Sequence, residues 1–272
     1  MPAAAGCRTL CALATSAVLS VTCVAMSQTA YYVNGSCGDD SWTGLSPDCE
    51  GPNGPKATIQ AGIDAADHFD TVVVADGVYT GEGNRNIQFR EKELTLRSSG
   101  GPTKCIIDCE QAAVGIDFCN SPNDRPAAIE GLTIRNGSGF SAGGICIANA
   151  DVVIRDCIIE HCLGGGATFP AGGVLISGTS TVYILGSRIE QNESERMGGG
   201  ITIVNGATTH FEESVIRENL AGSGVAPASG AGIYVDRDSV FYITRCLIAD
   251  NRAPAAFSSG GGLFKIAHQD HR

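Results

Sequence analysis

Gly172-Gly173-Val174 and Ser187-Arg188-Ile189-Glu190-Gln191-Asn192 open and close one unit of a repeat that runs from Gly143 to Leu263. The other openings are Gly143-Gly144-Ile145, Gly199-Gly200-Ile201, Ala231-Gly232-Ile233 and Gly261-Gly262-Leu263. The other closings are Cys157-Ile158-Ile159-Glu160-His161-Cys162, Ser214-Val215-Ile216-Arg217-Glu218-Asn219 and Cys246-Leu247-Ile248-Ala249-Asp250-Asn251. The apolar anchors at 145, 174, 201, 233 and 263 step by 29, 27, 32 and 30 residues, a period in the range of solenoids. Too little chain lies between anchors for a helical pair with loops. Runs such as Ile145-Cys146-Ile147 and Val182-Tyr183-Ile184 alternate apolar and other residues with strand periodicity. Short strands, glycine turns and a near-constant repeat predict an all-β parallel β-helix.

One such coil has a single line of inward side chains and no partners for its backbone, so it is stable only when stacked on copies of itself. Stacking sets equivalent residues about 4.8 Å apart. The inward columns then read Ile145, Val174, Ile201, Ile233, Leu263 and Ile159, Ile189, Ile216, Ile248. The paired glycines suit corners where a Cβ would clash or φ must be positive. Asn192, Asn219 and Asn251 recur at one turn position, where amides can bond from coil to coil, with Cys162 in the same place one coil earlier.

Before the repeats the chain is irregular. Arg8 is the one charge ahead of an apolar or small-residue run from Leu10 to Ala25, followed by Ala25-Met26-Ser27. This reads as a secretory signal, 1–27, with an N-terminal anchor helix as the alternative. Three of the 12 cysteines lie in that segment, and the remaining nine permit disulfides with at least one thiol left over in an oxidising compartment. Cys37 and Cys49 bracket a Gly/Pro/Asp-rich loop and are expected to pair. Cys105 and Cys109 lie too far apart in one extended run to bond each other. No Cys/His cluster has zinc-site spacing, so no metal is expected. The formal charge of −11 becomes −12 without Arg8, a surface that repels nucleic acid and anionic membrane and, unless calcium bridged them, polyuronate.

Residues 31–79 carry a resemblance. Tyr31-Tyr32-Val33-Asn34-Gly35, Gly38-Asp39-Asp40-Ser41-Trp42-Thr43-Gly44-Leu45-Ser46-Pro47, Ala57-Thr58-Ile59-Gln60-Ala61-Gly62-Ile63-Asp64-Ala65-Ala66 and Asp70-Thr71-Val72-Val73-Val74-Ala75-Asp76-Gly77-Val78-Tyr79 resemble the entry into pectate-lyase-like right-handed parallel β-helix proteins of the secreted bacterial type. Ala57 to Ala66 reads as an amphipathic helix, Ile59 and Ile63 on one face, covering the first coil. Thr71–Val74 is then the first buried strand. The expected divisions are 1–27 signal, 28–67 N-terminal loop and capping helix, 68–266 β-helix and 267–272 tail.

The resemblance implies depolymerisation of acidic polysaccharides, yet the residues for it are sparse. Only four lysines occur, Lys56, Lys92, Lys104 and Lys265, none beside a repeated acidic column, and the polygalacturonase patterns Asn-Thr-Asp, Gly-His-Gly and Arg-Ile-Lys are absent. Gly77-Val78-Tyr79-Thr80-Gly81-Glu82 nearly matches a pectin methylesterase-like Gly-x-Tyr-x-Glu, with its glutamate one place late. Two outward constellations remain. Val153, Tyr183, His210 and Tyr242 fall in one column, an aromatic stripe spaced for sugar rings or ordinary cross-strand packing. Glu160 above Glu190, with Arg188 and Arg217 beside them, could hold calcium, share a proton, or form a surface charge network.

The repeats are also similar in style to bacterial surface passengers and polymorphic outer-membrane proteins, β-helical adhesins. The expectation is therefore a secreted or cell-surface β-helix binding a polysaccharide or cell-surface glycan, with no transmembrane span after signal cleavage. A polysaccharide lyase or glycoside hydrolase is the alternative. Lys265 stands where the column Ile147, Ile176, Ile203, Val235 calls for an apolar residue, and no second signature follows. Either the natural chain is longer or another chain covers the last coil, with self-association through that edge expected.

Overall fold

A computed structural model describes residues 28–119, 126–222, 228–254 and 259–266. The expected signal and tail lie outside the described residues. From Val152 each coil runs Val152–Arg155, Ile158–Glu160, Leu163–Gly164 and Val174–Ser177 before returning to Thr181–Leu185. Repetition builds parallel sheets of eight, seven, six and four strands. The eight-stranded sheet begins with Ala30–Val33, which pairs in parallel with Thr71–Val74. The segment 28–67 is thus more than a loop and a cap, because it contributes a strand of its own.

The inward columns stack in the expected register. Ile145, Val174, Ile201, Ile233, Ile159, Ile189 and Ile216 are fully buried, each such side chain contributing about 1.5–3 kcal/mol. In the last coil Ile243 is 38% exposed, while Phe241, Ile248 and Leu263 are partly buried. Lys265 pairs with Val235 in the inward column, and its Nζ donates to the carbonyls of Ser239 at 2.7 Å and Asp236 at 3.3 Å. Its charge is thus met by two backbone acceptors.

Of the two reasons for the glycine pairs, steric crowding is the one observed. Gly144, Gly173, Gly200 and Gly232 are outside the left-handed region, but a Cβ on them would lie 2.5, 2.6, 2.6 and 2.3 Å from the next coil's glycine carbonyl oxygen. The left-handed corners are taken instead by side-chain-bearing residues, His161, Gln191, Glu218 and Asp250 after the seven-stranded sheet. Each costs roughly 1–2 kcal/mol, so the stack must impose them.

Two polar ladders offset that cost. Asn219 Oδ1 accepts from the Asn192 amide N–H at 3.0 Å and from Asn192 Nδ2 at 3.1 Å, while Asn219 Nδ2 donates to Ile189 O and Asn251 Oδ1, both at 2.9 Å. Cys162 begins this ladder by donating its N–H to Asn192 Oδ1. At the preceding corner Ser187 Oγ accepts from Cys157 N–H, Ser214 Oγ from Ser187 N–H and Cys246 Sγ from Ser214 N–H.

The helix is Ile59–Ala65, with Ile59 and Ile63 fully buried against the first coil. Thr58 is its N-cap, clasped by Asp40, whose carboxylate accepts from Ala57 N–H, Thr58 N–H and Thr58 Oγ1. Lys92 Nζ closes the other end on the carbonyls of Ile63, Asp64 and Ala66. Cys37 and Cys49 are bonded, as expected, and Cys119–Cys146 forms a second disulfide. The thiols of Cys105, Cys109, Cys157, Cys162 and Cys246 are free.

Two substitutions test the ladders and the core from opposite directions. Asn219→Leu strands buried partners above and below, and we expect a loss of about 3 kcal/mol, measured from the urea midpoint at constant slope. Thr209 points inward below Val182, with a buried Oγ1 that has no partner. Thr209→Val should therefore raise stability, by about 1 kcal/mol.

Candidate functional site

Alternation along Thr181–Leu185 sends Val182 and Ile184 into the core, leaving Tyr183 outside. The same logic applied coil by coil sets an outward column on the eight-stranded sheet, reading Thr95, Ala128, Val153, Tyr183, His210, Tyr242. The three rings stack almost parallel, with centroids 4.7 Å apart at both steps and interplanar angles of 9° and 13°. Tyr183 is 41% exposed and Tyr242 54%. In the neighbouring outward column Arg155 meets Glu130 at 3.6 Å, and Arg245 reaches Glu212 from the following corner.

Toward the helix-capped end the same column changes character. Thr95, Ala128 and Val153 become the floor of a groove of about 560 Å³, walled by Phe69, Leu94 and Pro126 and edged by Gln28 and Glu93. Phe69 is 39% exposed with φ of 70°, a backbone state that bulky residues rarely adopt. Val153 belongs to both halves of the column. The other wall residues had no signal in the sequence, because they come from segments outside the periodic repeat.

Glu160 and Glu190 are neighbours in register on the seven-stranded sheet. Glu190 is buried, and its carboxylate accepts Arg217 Nε at 2.7 Å and faces Arg188 Nη2 at 3.4 Å. That contact holds the Arg217 guanidinium still more firmly in its charged form. The carboxylate of Glu190 is thus committed to two arginines, whereas Glu160 stays half-exposed beside it. His161 stands at the corner after Ile158–Glu160 and His210 within the strand Thr208–Glu212, in separate columns.

Thiol chemistry is suppressed by burial. Desolvation pushes Cys105, Cys109 and Cys157 from 9.0 up to about 12, and raises Cys162 as well. The outward column Cys146, Leu175, Thr202, Tyr234 and Phe264 on the six-stranded sheet packs with Val114, Phe169, Met197 and Ile266. Phe169 stacks there on Tyr234 at 6.2 Å, so this face is a second small core.

The model for a right-handed β-helix region matches residues 103–269, and the chain belongs to that family. It is also similar to a metabotropic glutamate receptor-like protein R of Dictyostelium discoideum, 22% identical over 206 residues. That alignment spans 63% of this chain and 13% of the receptor-like protein. No solved structure matches the chain.

Raised thiol pKa values make a signed prediction. The unfolded chain releases these protons near 9.0 while the fold retains them to about 12, so unfolding becomes more favourable as pH rises through that window. Chemical denaturation between pH 8 and 11 should show the decline (roughly these limits, set by the same linkage). Mass spectrometry after alkylation of the native chain should find Cys246 labelled well before the four buried thiols.

Proposed function

We propose that the exposed face of the eight-stranded sheet binds a linear carbohydrate, and that the protein acts as a secreted or cell-surface, adhesin-like β-helix. The observation that carries this reading is the column Tyr183–His210–Tyr242, one outward ring per coil at 4.7 Å steps. The stacked rings cover one another's faces, so the column turns outward a row of apolar ring edges with the tyrosine hydroxyls and imidazole nitrogens, spaced for the C–H groups and hydroxyls of a linear sugar chain. Export is supported by two disulfides, which persist in oxidising compartments. Among the described residues no helix is long and apolar enough to cross a membrane. The net charge of −11 disfavours polyanionic ligands, so neutral glycans fit better than polyuronates. Calcium at Glu160 would be needed only for an acidic glycan. Self-association through the strand Val240–Thr244 belongs to the same proposal, supported by the exposure of Val240, Tyr242 and Ile243.

A glycan array run with and without calcium tests the reading, with hits titrated by calorimetry. Tyr183→Ala and Tyr242→Ala should each weaken binding by about 1 kcal/mol. Full affinity in both variants would return the rings to cross-strand packing. No unsaturated uronate should be released from polygalacturonate, and product that disappears in Glu160→Gln or Glu190→Gln would replace binding with catalysis.

A further inference from the structure

The groove and the ring column are successive parts of one surface with different chemistry. Beyond Val153 the ligand meets the outer edges of the stacked rings; before it, the ligand meets a recess lined by Phe69, Leu94 and Pro126 over Ala128. A flat sugar unit does not need such a recess, whereas a sugar with a projecting apolar substituent does. Glu93 and Gln28 line the rim. A carboxylate only accepts, and Gln28 gives one Nε2–H to Thr71 Oγ1 at 2.9 Å while keeping its amide oxygen as an acceptor and its second N–H as a donor. Acceptors beside an apolar recess match a ligand group that carries an N–H next to a methyl. The carboxylate also disfavours a uronate there. Phe69 stands in this wall in a left-handed conformation that a smaller residue would tolerate better, strain of the kind that gathers at binding sites.

Resting on the glycan reading above, we propose that the groove is an end subsite for an acetamido group, so that the face prefers an N-acetylhexosamine oligomer to an unsubstituted hexose oligomer. The methyl lies against Leu94, Ala128 and Val153, and the amide N–H is directed to the acceptor rim.

The test is calorimetric titration of the full chain with β-linked N-acetylglucosamine and β-linked glucose oligomers of equal length. We expect the acetylated oligomer to bind about tenfold tighter, the order set by burying a methyl and making one hydrogen bond. Ala128→Glu, which fills the recess with a charge, should abolish that preference while sparing the glucose oligomer. Phe69→Gly removes the wall and suits the left-handed backbone, so it should lose the preference without losing thermal stability. Tyr183→Ala should weaken both ligands alike. Equal affinity for the two oligomers, unchanged in Ala128→Glu and Phe69→Gly, would overturn the subsite and leave the ring column standing. Absence of binding to either oligomer, alongside hits to other glycans on the array, would overturn the subsite alone; absence of any glycan binding would overturn both.

Discussion

Parallel in-register stacking is the constraint on which the rest of this molecule depends. A coil can satisfy its backbone only through the coils on either side, and register then places every side chain against its own equivalent. Inward, that rule builds a core from Ile145, Val174, Ile201 and Ile233. At the corners it turns single asparagines into a ladder in which one amide serves two neighbours. Outward, it converts one aromatic per repeat into a column of rings. Ring column and stabilising ladder are products of the same translation.

The stack also explains where strain is tolerated. Left-handed His161, Gln191 and Glu218 recur at corners bonded to the coils on both sides, and Asp250 at a corner bonded to the coil before it, and such bonding outweighs a cost that would unfold an isolated turn. Glycine is needed elsewhere, where the opening of one coil passes within contact of the next coil's carbonyls. Phe69 differs from these, since it stands outside the periodic corners and beside the groove.

Cysteine has two roles here. Cys157, Cys162 and Cys246 occupy ladder positions that serine and asparagine fill in other coils, and their neighbours accept or donate backbone bonds in the same way. Cys37–Cys49 instead closes one irregular loop on itself, and Cys119–Cys146 ties an irregular segment to the strand Ile145–Ala148. Charge is handled locally: Glu190 is surrounded by Arg188 and Arg217, and Arg135 meets Asp108 at 2.9 Å, so coil-to-coil pairs offset part of the surface repulsion.

The repeat itself was sufficient to determine the all-β coil, both inward columns, the asparagine ladder and the ring column, and the capping helix was legible from the spacing of Ile59 and Ile63 on one face. A fixed period converts sequence distance into spatial adjacency, so any residue recurring within the period has a known neighbour. Cys37–Cys49 was readable because its loop is short and local. The strand Ala30–Val33 was not, because its partner Thr71–Val74 lies beyond an aperiodic stretch. Nor was Cys119–Cys146, because Cys119 follows the short strand Ile116–Asp117, which lies before the first of the paired-glycine openings. Only the tertiary structure showed that steric crowding, not φ, demands the paired glycines, that Glu190 is shared by two arginines, and that Phe69, Leu94 and Ala128 converge on one groove. The first two depend on where atoms point within a register already known, and the third on segments outside the repeat, where counting residues no longer locates a neighbour.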